Sequence, residues 1–208
     1  MTRIPLTTVA SVLLGLALTA CTALTGEPPA PDVYGLEPPT SFADDLPKAS
    51  WQLVVDEPRA SPGLATDRIA VRRQPLHLQY YAGARWASTT PQMLQSLIIT
   101  SLRNTGRIAA VGSSSADLRP DYRLVTRLVA FEAVYPGGGT TPSADVRLDA
   151  TLVGQPREEA VAARRFEATA KAKSAAVPDV VAAYNQALDQ VLRDLAEWAL
   201  RAPEQETS

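Results

Sequence analysis

The chain has one histidine, one cysteine and an aromatic content of only 6% in 208 residues. A single imidazole, His77, leaves no histidine pair for zinc, and a Ser-His-Asp triad would have to be built on that one residue. No Gly-x-Ser-x-Gly elbow accompanies it, since Gly112-Ser113-Ser114-Ser115 lacks the second glycine. A lone histidine on a strand is more often a surface residue than a general base. Gly137-Gly138-Gly139 lacks the Lys-Ser/Thr ending of a phosphate loop and reads as a turn between strands. Asp44-Asp45 has no third oxygen ligand at a suitable spacing and reads as a solvated loop pair. These absences point away from an enzyme and imply neither a metal nor a cofactor. Charge of one sign is missing too: 20 basic residues face 22 acidic ones, with no basic stripe, which argues against nucleic acid as a partner. One cysteine permits no internal disulfide, so the 46% of hydrophobic residues must hold the fold unaided. The span from Trp51 to Leu200 is long enough to bury about 68–70% of its unfolded surface in one core.

Charge is absent altogether from one stretch. After Met1-Thr2-Arg3, the residues from Ile4 to Ala20 are uncharged and largely apolar, and they end in Leu18-Thr19-Ala20-Cys21. A basic start, a short apolar run and small residues at its end are the form of a secretory signal peptide. The run is shorter than the ~20 residues a membrane-spanning helix needs. Leu-Thr-Ala-Cys resembles a bacterial lipobox, in which the thiol is acylated and the chain is cut just before it. A free thiol or a small buried residue are the other roles open to a lone cysteine. The position of Cys21, at the end of the apolar run and before Thr22-Ala23-Leu24-Thr25-Gly26-Glu27-Pro28-Pro29, favours acylation. Several acyl chains on one residue exceed the two membrane signals that stable anchoring takes. Thr22 follows the cysteine where an aspartate would commonly direct retention at the inner membrane, which favours the outer one.

The expected organisation is a signal peptide at 1–20, a lipidated tether at 21–33, one domain at 34–202 and a flexible tail at 203–208. Prolines 28, 29 and 31 stiffen the tether toward an extended conformation. In the domain, short runs rich in β-branched residues predict strands at 51–55, 68–72, 76–81 and 108–111. In the third of these Leu76, Leu78 and Tyr80 alternate against His77, Gln79 and Tyr81, and Gly83, Arg85 and Trp86 follow in a loop. Thr90-Pro91 predicts a helix start, with Thr90 as the cap, and Leu94, Leu97, Ile98 and Leu102 form its apolar stripe to about Asn104, with Gly106 as the stop. Tyr122 to Tyr135 is apolar on both faces, with Leu124, Leu128 and Ala130 opposed to Val125, Val129 and Phe131, which predicts burial on both sides or a bulge. Residues 144–153 and 161–173 alternate cleanly and read as antiparallel neighbours around Gly154-Gln155-Pro156. A closing helix from Pro178 to about Leu200 carries Val181, Tyr184, Leu188, Val191, Leu195 and Trp198 on one stripe. The fold class is α+β: a two-layer, mostly antiparallel sheet packed against two main helices. Tyr81, Arg85 and Trp86, aromatics beside a cation, form a candidate partner interface, Tyr81 as its exposed aromatic.

Tyr34-Gly35-Leu36, Asp67 to Arg72, Leu78 to Ala87, Asp121 to Leu124 with Phe131-Glu132, Ala150-Thr151-Leu152, and Ala182-Ala183-Tyr184-Asn185 in the closing helix together resemble the ABC-type transport auxiliary lipoprotein family. The match is collinear from Cys21 to Trp198, with the Pro136 to Pro142 loop outside its pattern. The resemblance implies a non-enzymatic lipoprotein working with a membrane permease, an ATPase and an MCE-domain protein that carries lipid across the periplasm. It implies a two-layer α+β domain and, for one member, ring-like homo-oligomers. The expected location is the periplasmic face of the outer membrane of a Gram-negative bacterium. A structural envelope lipoprotein, or a secreted hydrolase built on His77, are the competing readings. Cys21→Ala is expected to abolish incorporation of labelled fatty acid; label retained on that variant would exclude the anchor.

Overall fold

The structure, a computed structural model, describes residues 29–116 and 118–205; the segment expected to be a signal peptide, Cys21, the expected tether up to residue 28 and residues 206–208 lie outside them. Among the described residues eight strands and two α-helices follow in order: β1 (Asp32–Tyr34), β2 (Ala49–Val55), β3 (Arg68–Gln74), β4 (His77–Trp86), α1 (Thr90–Asn104), β5 (Ile108–Ser113), β6 (Tyr122–Val134), β7 (Ser143–Gly154), β8 (Glu159–Lys171) and α2 (Val177–Gln205). The eight strands form one sheet covered by the two helices, an α+β arrangement.

β6 is the spine of the sheet. Along one edge it pairs antiparallel with the whole of β7, which pairs antiparallel with β8. Three chain segments share its other edge. β2 lies parallel to its start (Leu53↔Tyr122, Val55↔Leu124), Arg59 bridges to Arg127, and β3 lies parallel to its end (Val71↔Ala133, Arg72↔Val134). The sheet therefore forks, with β5 outside β2 on one branch and β4 then β1 outside β3 on the other. The long ladders are antiparallel, and the pairings of β1 with β4, β2 with β5, β2 with β6 and β3 with β6 are short and parallel, so the sheet is mixed.

A bulge explains the two apolar faces of β6. Leu128 opposes Leu148 and Ala130 opposes Arg147, so Val129 is an extra residue. The insertion reverses the phase of the strand. Phe131, opposite Val146, returns to the inner face with Leu124 and Leu128, rather than taking the opposite face that unbroken alternation assigns it. On β7 the alternation is uninterrupted, and Val146, Leu148, Ala150 and Leu152 are all buried.

Helix α1 begins after Thr89, which holds the cap position in extended conformation, and not at Thr90. The Thr90 hydroxyl instead donates to the Thr66 carbonyl at 2.9 Å, and Pro91 occupies the first turn, where its missing N–H costs nothing. Gly106, at φ +63°, takes the left-handed turn that releases the chain toward β5. Helix α2 lies across β7 and β8 and buries Tyr184, Leu188, Val191 and Leu195, flanked by the small residues Ala183, Ala187, Ala196 and Ala199. It runs through Gln205, beyond the expected end near Leu200, because Leu200 and Ala202 are still buried; Pro203 to Gln205, expected as tail, are helical.

The largest departure lies in β4. The strand starts at His77, and Leu76 sits in the two-residue turn from β3 rather than on a strand face. It also continues through Gly83, Arg85 and Trp86, which the sequence places in a loop. Gly83 adopts φ +68° where the register against β3 shifts, a conformation that glycine takes without strain. Beyond that irregularity Trp86 points inward and is 1% exposed. Its ring meets Phe131 at 5.7 Å and Tyr184 at 5.2 Å, and those two rings are 4.9 Å apart. The Tyr184 hydroxyl donates to the Ala70 carbonyl at 2.7 Å, tying α2 to β3. Truncation of so large a buried ring is costly, and Trp86→Ala is expected to lose about 3–5 kcal/mol in urea unfolding. Loss of under about 1 kcal/mol would mean that the aromatic cluster is not a support of the fold.

Candidate functional site

The alternation of β4, together with its irregularity at Gly83, separates the three residues expected to form one partner surface. Trp86 is in the core, and only Arg85 is fully on the surface, where its guanidinium lies 3.5 Å from the Asp67 carboxylate. Tyr81 is half-buried, and its hydroxyl oxygen is enclosed without a hydrogen-bond partner among the described residues. Burial first, and the neighbouring Tyr135 phenol second, push the Tyr81 pKa well above its ordinary value. Tyr81 is therefore not the exposed aromatic the sequence suggests. Tyr80, also half-buried, donates to the Gly63 carbonyl at 3.0 Å and carries the Arg68 guanidinium 3.7 Å from its ring centre.

The sparse catalytic inventory remains scattered in space. His77 is exposed on β4, while the Ser113 and Ser115 hydroxyls, 2.8 Å apart, lie on and just beyond β5, on the other branch of the fork. Asp45 pairs with Arg201 at 2.7 Å, and the Asp44 carbonyl accepts from Arg107. Gly137 takes φ +57° in a short helical turn between β6 and β7. Among the described residues no group of three or more histidine, cysteine or acidic side chains is placed to hold a metal ion, and no helix is long and apolar enough to cross a membrane.

What the sequence did not reveal is a charged groove on the wet face of β6, β7 and β8. Asp149, in the middle strand, accepts from Arg127 at 2.6 Å on one side and from Arg165 at 2.6 and 3.1 Å on the other. Arg59, Val125, Thr151 and Ala163 complete an open depression of about 560 Å³. Each of the three charges is legible as outward-pointing from its own strand; only the register aligns them (Arg127↔Asp149↔Arg165). Beside the groove, β8 has β7 as its one strand partner, which leaves its other edge, from Glu159 to Lys171, unpaired among the described residues. Arg164, Arg165, Glu167 and Lys171 line that strand, and such charges discourage indiscriminate strand pairing.

Hydrogen bonding to Arg165, opposed by partial desolvation and reinforced by Arg127, lowers the Asp149 pKa from 3.8 to about 2. A depressed carboxylate contributes stability that is complete above its unfolded value and disappears as the pH falls through its folded one. The stability difference between the native chain and Asp149→Asn should therefore be constant above pH 3.8 and shrink as the pH falls toward about 2. Paired denaturant titrations across that window measure it, and a difference independent of pH would exclude the ladder as a source of stability.

The family model for the ABC-type transport auxiliary lipoprotein component matches residues 34–196. Among solved structures, a protein from Xanthomonas campestris is 33% identical, with a TM-score of 0.79 over 84% of this chain and 98% of its own. An uncharacterised protein at 17% identity shares the fold, with a TM-score of 0.63 over 81% of this chain and 97% of its own. No curated protein matches. The matched span begins in β1 and ends in α2, so it includes the forked sheet, the aromatic cluster and the groove, and on that basis the chain belongs to the ABC-type transport auxiliary lipoprotein family.

Proposed function

We propose that the chain is a docking subunit, held by acylated Cys21 on the periplasmic face of the outer membrane, for an ABC-type system that moves lipid by way of an MCE-domain protein. Family membership carries this reading: the matched family is described as an auxiliary component of transport and not as a catalytic one. The lipobox-like Leu18-Thr19-Ala20-Cys21 supplies the anchor, and the proline-marked segment after it supplies a spacer. Tethering raises the local concentration of a binding surface, so a modest interface with the membrane-spanning machinery suffices. The placement of His77 on one branch of the fork and of the Ser113–Ser115 pair on the other supports a docking role over a hydrolase built on that histidine.

Arg85 is the surviving exposed member of the sequence-derived interface, presented by a strand that Trp86 fixes from behind. The open edge of β8 offers a second surface, suited to strand addition by a partner or another copy of the chain. Purification of the acylated protein from detergent-solubilised membranes is expected to recover an MCE-domain protein together with its permease and ATPase. Arg85→Glu should reduce that recovery without lowering the unfolding midpoint. Recovery of the chain with no MCE-domain protein would overturn the reading.

A further inference from the structure

Leu76 is 99% exposed and has a φ of +62°. It is the second residue of the tight Pro75–Leu76 turn between β3 and β4, a position that glycine or asparagine fills without strain and a bulky side chain does not. Within the described domain nothing rewards a leucine there, so its use points to a contact outside the domain.

The register shows what surrounds this tip. Lys171, Ser143, Val134, Arg72 and Leu78 form one continuous row across β8, β7, β6, β3 and β4. Just beyond that row, at one end of the sheet, are Leu76, Arg73, His77 and Lys173, all exposed. Arg73, Lys171 and Lys173 form no ion pair among the described residues; the Arg73 guanidinium lies 4.3 Å from the Tyr135 ring centre. Of the acidic residues near the row, Glu132 is held by Arg72 at 2.8 Å and Asp145 by Arg147 at 2.8 Å, while Asp179, in the first turn of α2, accepts from the Ser174 hydroxyl at 2.6 Å. This end therefore carries an apolar point among three cations, Arg73, Lys171 and Lys173, against the single carboxylate of Asp179 that no cation holds among the described residues.

The N-terminal strand supplies the direction. β1 runs parallel to β4, with Asp32 opposite Ala84, so the chain enters β1 from the side of this rim. Ala84 back to His77 is about 23 Å at ~3.3 Å per residue. The stretch from Thr22 to Pro31 can extend about 31 Å at ~3.1 Å per residue, enough to cover that distance. We infer that the Leu76 end of the domain rests on the anionic membrane surface in which Cys21 is anchored, with Leu76 inserted among the lipids and Arg73, Lys171 and Lys173 over their headgroups. The inference rests on the acyl anchor of the proposed function, and it turns the opposite end, with the β7–β8 turn, toward the periplasmic machinery.

In the acylated full-length protein the Cys21 sulfur is consumed, so Gln74→Cys provides a single thiol for an environment-sensitive fluorophore beside an intact Leu76. In phosphatidylethanolamine/phosphatidylglycerol vesicles its emission should shift to the blue and be quenched by shallow nitroxide lipids. A label at Arg157→Cys, in the turn between β7 and β8, should remain water-exposed. Adding Leu76→Asn should abolish the lipid quenching while raising the thermal midpoint of the domain, because the left-handed turn is relieved. Vesicles of phosphatidylethanolamine alone should give several-fold weaker quenching. Flotation of the same samples reports the anchor separately. Protein that floats with a wet label at position 74, or whose label becomes protected only when an MCE-domain protein is added, overturns the membrane contact alone. Protein that fails to float overturns the anchor and the contact together.

Discussion

Three aromatic rings hold together parts of the chain that are far apart in sequence. Trp86 comes from β4, Phe131 from β6 and Tyr184 from α2, and each ring lies within 5.7 Å of the other two. Offset and edge-on contacts among buried rings add to the area they bury. The Tyr184 hydroxyl extends the cluster to the backbone of β3. The outer branch of the fork, the spine and the long helix thus share one joint. The same joint decides what β4 shows to solvent: with Trp86 inward, its neighbour Arg85 must face outward.

The parts of this fold that were readable from sequence are those in which one period runs undisturbed. Val146 to Leu152 alternates without a break, and the spacing from Val181 to Trp198 defines one face of a helix. The unreadable parts each contain a local exception or a remote partner. Val129 adds one residue to β6 and moves Phe131 to the other face. Gly83 lets β4 continue where the pattern suggested a loop. Leu76 occupies a turn that lacks the glycine or asparagine by which such turns are recognised. The parallel placement of β2 and β3 on a single edge of β6 depends on contacts across roughly sixty to seventy positions, about which local composition is silent.

The functional surface was legible to a different degree. Short blocks such as Leu78 to Ala87 and Ala182 to Asn185 were enough to suggest the family, because they carry the aromatic joint and its flanks. Which of those residues face a partner was not legible, since aromatic enrichment is shared by interfaces and cores. The Arg127–Asp149–Arg165 ladder needed the alignment of three strands before its charges became neighbours.

The fork in the sheet has a consequence for how the domain is made. β2 and β3 are synthesised well before β6, the strand that will hold them both. β6, β7 and β8 form a local meander that can assemble early, whereas the parallel pairings wait on closure of long loops. Until that closure β3 has only β4, across its tight turn, and β2 has only β5, so each leaves an apolar edge unpaired. A protein built in this way gains from being shielded from its siblings during the interval before β6 takes up both strands.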